Sequence, residues 1–474
     1  MTIKKAALIS AVSKYSTVLG TLLFTMILSR ILTPEDYGIT AIIGVFTTFF
    51  SLLSDMGIGN GIVQNKDLDK NDLRSIFTFT IISGIILAII FIACGYPISY
   101  VYHNKCYLYI CPLLSISILA NTINTVPKSV LLKEKKFLLI GIRNLVIMAV
   151  SMSVAVIFAK LGFKYYALVF QSVIASLAEL FWNFSSVPFL PGKKHIRMSL
   201  NKIRDFSKYV LAYNFMNYYV RNLDNLLIGA FMGNTMLGYY DKSYKLMGYP
   251  MQYLTHAITP VFQPILSDYQ TDIPYVYQTY LKVTGFLSAA GLFISVACFF
   301  MAEEIIVLFF GAQWEIAVPC FRVLSVSLWP QIVYASVGAV FISLNRSDEL
   351  FKTGCYEAVV MIICILAGLS FKKLTMVASF VSLGLVIRFF LNYYMLIKRV
   401  MKKSFANFLQ AFTGDLITGA IMCMAVAAGT AFYQPDSMLK KLVLKLFLCA
   451  SGYLAGTAVR AAGKHAARQR QKIR

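Results

Sequence analysis

Six polar side chains recur at helical spacing inside one apolar stretch, Phe206 to Gly233. They are Asn214, Asn217, Tyr218, Arg221, Asp224 and Asn225. At about 3.6 residues per turn they share a single face. Leu211, Phe215, Val220, Leu223, Leu226 and Leu227 fill the rest of the surface. An Arg or Asp facing lipid at mid-depth costs roughly 2.5–3.5 kcal/mol even on insertion scales. The stripe must therefore face protein or a water-filled cavity. Arg221 and Asp224 stand three apart and can pair. Two readings follow. The stripe either staples this helix to its neighbours, or it lines a path for a polar substrate or an ion.

The surroundings of that stretch define the class of protein. The chain has 474 residues, of which 58% are hydrophobic and 14% charged. An ordinary soluble domain is about 25% charged, so an all-α polytopic membrane protein is expected. The net charge of +23 then reads as cytoplasmic loop charge rather than as a nucleic-acid surface. The basic tail after Arg460 has no aromatic interleaving, and no nucleic-acid partner is expected. Nine cysteines are scattered without a C-x-x-C, and none of the four histidines is paired at ligand spacing. Neither a disulfide framework, a metal site nor a cofactor is suggested. The first apolar run continues to Leu32 with no cleavage signal, and is read as a spanning helix.

Fourteen apolar runs of about the length a span requires can be marked out. Spans 6–31, 37–63, 75–101, 106–127, 138–159 and 164–187 make a first lobe, 1–187. Residues 188–205, with two prolines and a basic stretch, make a linker. Spans 206–232, 237–262, 279–301, 317–344, 353–371 and 374–397 make a second lobe, 206–400. Spans 408–432 and 440–459, with a basic tail, complete 401–474. Basic clusters at Lys128–Lys136, Lys193–Lys208, Lys398–Lys403 and Arg460–Arg474 all fall on the side of both termini. The other side has only scattered cations such as Arg30, Lys105 and Lys160. The bias puts both termini in the cytoplasm.

A faint internal repeat supports two lobes. Leu32-Thr33-Pro34-Glu35-Asp36-Tyr37-Gly38 matches Met232-Gly233-Asn234-Thr235-Met236-Leu237-Gly238, and Leu131-Leu132-Lys133 finds an echo in Leu344-Asn345-Arg346. Six spans separate the copies, so they share an orientation, as in transporters built of parallel repeats. The last two spans lie outside the repeat.

Several of these segments resemble one family. Arg221-Asn222-Leu223-Asp224-Asn225-Leu226-Leu227-Ile228-Gly229, Leu237-Gly238-Tyr239-Tyr240 and Tyr244-Lys245-Leu246 resemble the seventh and eighth helices of Wzx-type polysaccharide flippases. Ser29-Arg30-Ile31-Leu32 with Pro34-Glu35-Asp36-Tyr37-Gly38 resembles their first interhelical loop. These belong to the multidrug/oligosaccharidyl-lipid/polysaccharide exporter superfamily. The resemblance covers spans one to twelve. It implies translocation of an undecaprenyl-pyrophosphate-linked oligosaccharide across a bacterial inner membrane, two six-helix lobes, alternating access and coupling to an ion gradient. It also implies contact with membrane lipids, a polysaccharide polymerase and other glycan assembly proteins.

Such a substrate needs cations for its pyrophosphate and hydrogen-bonding groups for its glycan. Arg221, Asn214 and Asn217, with the deeper cations Lys14 and Arg388, are the candidates. Lys242, Lys245, Lys282, Arg322 and Lys445 lie near expected span ends, and Arg143 is grouped with them; all are expected to snorkel. The deep acids are Asp55, Glu179 and Asp224, with Glu357 and Asp415 nearer the ends. A coupling ion would use one of those three. Asp55 could equally cap a bend beside Gly57, Gly59 and Gly61. A multidrug exporter of the same superfamily and a non-transporting membrane component of glycan assembly stay open. No nucleophile–base constellation supports an enzyme.

Overall fold

The computed structural model describes residues 3–55, 57–65, 67–192, 198, 218, 222–433 and 435–473. Among them every regular element is helical. The helices are α1 (Ile3–Ile31), α2 (Pro34–Asp55), α3 (Ile58–Gln64), α4 (Lys70–Val101), α5 (Cys106–Lys133), α6 (Phe137–Lys160) and α7 (Tyr166–Ser186). Residues 222–232 form α8, followed by α9 (Asn234–Ser267), α10 (Ile273–Phe300), α11 (Ala302–Phe310), α12 (Ala317–Val326), α13 (Leu328–Tyr334) and α14 (Val337–Ser343). The chain ends with α15 (Ser347–Ser370), α16 (Leu374–Tyr393), α17 (Phe405–Gln410), α18 (Thr413–Phe432) and α19 (Met438–Ile473). It divides into two compact units, 1–238 and 239–474.

Among the described residues eleven helices are long and apolar enough to cross a membrane, or twelve with a bent pair. The fourteen spans expected from hydropathy are therefore not all recovered. Of the remaining two, 206–232 lies partly outside the described residues, and α9 is long but less apolar. The structure also breaks two expected spans. The run 37–63 is split where α2 stops at Asp55 and Gly57 turns left-handed at φ 71°. The run 317–344 bends by 46° between α12 and the segment Leu328–Ser343.

Local chemistry explains where helices start. Thr33 and Asp36 cap α2 reciprocally: Thr33 N–H donates to Asp36 Oδ2 at 2.9 Å, and Asp36 N–H to Thr33 Oγ1 at 3.3 Å. Asp69 and Asp72 repeat the device on α4.

The repeat is visible in three places. The first is the matched heptapeptides themselves, Leu32–Gly38 and Met232–Gly238. A Cβ on Gly38 would fall 1.7 Å from the Asn234 carbonyl oxygen, and one on Gly238 would fall 1.8 Å from that of Pro34. Pro34 and Asn234 each open a helix, and each glycine sits four residues on. The contact is thus reciprocal. The second is a helix end. α5 closes with Lys135 at φ 57° and Lys136 N–H on the Leu131 carbonyl. α14 closes with Asn345 at φ 54° and Arg346 N–H on the Phe341 carbonyl. Leu131 therefore matches Phe341, which shifts the sequence pairing of Leu131 with Leu344 by three residues. The third is a pair of ion-pair networks.

Candidate functional site

In the first unit α1, α5, α6 and α7 line an open cavity of about 400 Å³. Its wall is unusually polar for helices of this hydropathy. Thr17 and Thr21 come from α1, Asn121 from α5, Asn144 and Ser151 from α6, and Gln171, Ser172, Ser176 and Glu179 from α7. The threonine hydroxyls fold back onto carbonyls four residues earlier, Thr17 onto Ser13 and Thr21 onto Thr17, both at 2.8 Å. That satisfies them where lipid offers no partner.

Glu179 joins this cavity to a buried network. Its Oε1 lies 3.1 Å from Arg143 Nη2 and 3.2 Å from Lys128 Nζ. Arg143 is 2% exposed. Its Nη2 also donates to Asn144 Oδ1 at 2.8 Å, and its Nη1 to Asn183 Oδ1 at 2.5 Å. Asn183 in turn donates to Asn124 Oδ1 at 2.8 Å. Far from snorkelling, Arg143 is the hub of the unit. Its burial is tolerated because Asn144 on α6 and Asn183 and Glu179 on α7 meet most of its donors.

The second unit holds a counterpart of inverted sign. Arg388 on α16 pairs through Nε with Glu357 Oε2 on α15 at 2.6 Å. Its Nη2 donates to the Tyr334 hydroxyl at 2.6 Å, and its guanidinium carbon lies 4.5 Å from the Tyr334 ring centroid. Asn392 donates to Glu357 Oε1. In order of spans α6 matches α15 and α7 matches α16. Arg143 thus corresponds to Glu357, and Glu179 to Arg388. In both units an Asn four residues on, Asn183 or Asn392, binds the neighbouring helix's charge.

The sequence candidates are scattered. Glu179 lines the first cavity. Lys14 is exposed on α1, three and seven residues before Thr17 and Thr21, and so on their face. Arg388 is locked to Glu357 rather than free. Asp55 accepts the Gly59 N–H at 3.2 Å, the bend-capping geometry. Asp224 is 4% exposed on α8. Asn214, Asn217 and Arg221 lie outside the described residues. Tyr218 donates its hydroxyl to the Val45 carbonyl.

Other corrections concern the cations and acids assigned to span ends. Lys242 is buried, its Nζ 4.9 Å from the Phe310 centroid and 5.6 Å from that of Trp314. Lys445 pairs with buried Glu304 at 2.5 Å. Glu357 and Asp415 are buried too, Asp415 against Arg460. Sequence reasoning passed over Asn124, Asn183, Tyr334 and Asn392. The matching spacing of Glu179 with Asn183 and of Arg388 with Asn392, at equivalent spans, was the available signal.

Comparison with known proteins gives the assignment. A family model described as "Polysaccharide biosynthesis protein" matches residues 27–319, well over half the chain. The chain belongs to this polysaccharide biosynthesis family. It is similar to the teichuronic acid biosynthesis protein TuaB of Bacillus subtilis, 21% identical across 83% of this chain and 82% of that one. It is likewise similar to the lipopolysaccharide biosynthesis protein WzxC of Escherichia coli, 21% identical across 81% and 78%. Its fold is similar to that of the lipid II flippase MurJ, a structure described as being in an inward closed conformation. The TM-score is 0.73 at 15% identity, covering 99% of this chain and 100% of that one. An inward-facing multidrug resistance MATE transporter of the MOP superfamily scores 0.62 at 13% identity, over 83% and 96%. This family member is thus a multi-pass membrane protein with a transporter fold.

Proposed function

We propose that this member of the polysaccharide biosynthesis family is a flippase. It moves an undecaprenyl-pyrophosphate-linked oligosaccharide from the cytoplasmic to the outer leaflet of a bacterial inner membrane by alternating access. The observation that carries the reading is the polar cavity of the first unit. Hydroxyls, amides and Glu179 line about 400 Å³ among apolar spans. Its hydroxyls are met by backbone carbonyls, but the Asn121 and Gln171 amides cost free energy in lipid unless a polar solute uses them. Amides and hydroxyls suit a glycan. The cations would be Arg221, on the stripe that also carries the amides Asn214 and Asn217, and Lys14 on the cavity face of α1. Arg388, already neutralised, is a positioning residue for Glu357 in this scheme. The similarity to a lipid II flippase over almost the whole chain supports a lipid-linked substrate, and family membership favours a glycan over the drugs of the multidrug branch. No enzymatic step is required.

The test is uptake of a fluorescent lipid-linked glycan into vesicles containing the purified protein. Arg221→Ala should abolish uptake at normal protein level. Arg221→Lys should restore part, because charge remains while the bidentate fork is lost. Recovery in a double Arg221→Ala, Asp224→Ala variant would assign Arg221 a purely structural role, since removing both ends leaves no orphaned charge. Absence of uptake by the unaltered protein with any polyprenyl-linked glycan would overturn the flippase reading.

A further inference from the structure

The second unit contains its own cavity of about 400 Å³, where α10 and α18 end and α19 begins. Charges of both signs face it. One cation is already engaged: Lys445 Nζ donates to the Phe300 carbonyl at 2.9 Å and pairs with Glu304 Oε1 at 2.5 Å. The other oxygen, Glu304 Oε2, is buried with no hydrogen-bond partner among the described residues, in a side chain 1% exposed. Arg322, Lys441 and Glu303 are half-buried at the same cavity. None of the three makes an ion pair or side-chain hydrogen bond among the described residues.

We propose that this cavity binds the headgroup of a zwitterionic aminophospholipid. The phosphate lies against Arg322 and Lys441, and the ammonium against Glu303 and the free Glu304 oxygen. The argument is one of satisfaction. A purely anionic ligand would answer the two cations but would set negative charge beside Glu303 and an unpartnered carboxylate oxygen. A simple cation would do the reverse. A primary ammonium has three N–H donors and can meet both acceptors at once, whereas a quaternary ammonium has none. The depth is right as well. Spans terminate at Phe300 and Phe432, so the cavity lies at headgroup level, and Tyr433 on its rim is of the type that marks that interface. Phe299, Phe300 and Leu444 supply an apolar wall for the glycerol end of the acyl chains.

Thermal unfolding of the full-length protein in detergent, with lipid titrated in, tests this. Native mass spectrometry counts the bound lipid. Phosphatidylethanolamine should bind about tenfold more tightly than phosphatidylcholine or phosphatidylglycerol, the discrimination expected of one well-placed charged contact. The double variant Arg322→Gln, Lys441→Gln should lose that preference. So should the milder Glu303→Gln, which keeps the test alive if the double variant does not fold. Equal or tighter binding of phosphatidylglycerol, indifferent to Glu303→Gln, would overturn the proposal in favour of a plain anion site. So would a full thermal shift from inorganic phosphate alone. Stabilisation of the variants as great as that of the unaltered protein would overturn it in favour of non-specific lipid contact.

Discussion

At Arg143 the geometry fixes the direction of a substitution. The residue is 2% exposed, and its acid among the described residues is Glu179. Glu179 has a second cation, Lys128, and its side chain is 21% exposed. Removing the acid therefore strands a buried guanidinium, which costs about 3–5 kcal/mol. Removing the arginine leaves Glu179 partly hydrated and still paired. Glu179→Gln is expected to lower the midpoint of thermal unfolding more than Arg143→Met, which keeps the packing of the stem. The double variant should be milder than Glu179→Gln alone. The same logic runs in the second unit, where Glu357→Gln leaves Arg388, among the described residues, with the Tyr334 hydroxyl and ring. Its penalty should fall when Arg388→Met is added. Unfolding of the four single and two double variants in one detergent decides the matter, and purely additive losses would contradict the ion-pair account.

At the scale of helices the reciprocal glycine contact is the tightest approach in the first unit for which a test is simple. Even one methyl on Gly38 would lie 1.7 Å from the Asn234 oxygen, so the two helix starts must separate. Overpacking of this kind costs about 1–3 kcal/mol. Gly44, on the same helix, has open space where a methyl would go, with nothing within 4 Å. Gly38→Ala should thus destabilise. Gly44→Ala should be neutral or gain up to about 1 kcal/mol from helix propensity. Equal melting of the two variants would dismiss the contact. This contact was half legible in the sequence. The repeated Leu32–Gly38 and Met232–Gly238 segments were readable as a repeat, and most of the spans followed from hydropathy, because lipid imposes length and apolarity on every span. The glycines' reason was not readable, since a close approach is a property of two segments. Nor were the ion pairs. Arg143 near a run's edge looks the same whether it snorkels or is met by α7, and only tertiary packing distinguishes the two. The breaks at Gly57 and between α12 and the segment Leu328–Ser343 interrupt runs whose hydropathy is continuous.

For the molecule as a whole, charge bias and span count make one linked prediction. Reporter fusions after Lys194 and after Arg474 should both report the cytoplasm; an outer-face signal at either would revise the span count. With that orientation the cycle of the proposed flippase would have a definite energetics. A dianionic headgroup moving outward is favoured by a negative-inside potential, at about 2.3 kcal/mol per charge per 100 mV. In the return of the emptied carrier, the cavity cations would move inward with the same field, while their mutual repulsion would hold the carrier in one state. In the proposed cycle an acid beside those cations would tune that balance by taking up or releasing an ion. Of Asp224, Glu179 and Asp55, Asp55 is engaged with the Gly59 N–H, Asp224 stands three residues after Arg221 in the sequence, and Glu179 lines the first cavity. Glycan uptake in vesicles is therefore expected to respond to an imposed pH or sodium gradient. Neutralising Asp224 or Glu179 should abolish that response, while Asp55→Asn should mainly weaken the α2–α3 bend and the melting temperature. Uptake that proceeds at the same rate with every ion gradient collapsed would make the protein a passive facilitator, and the acids would then be left with the structural roles their partners already give them.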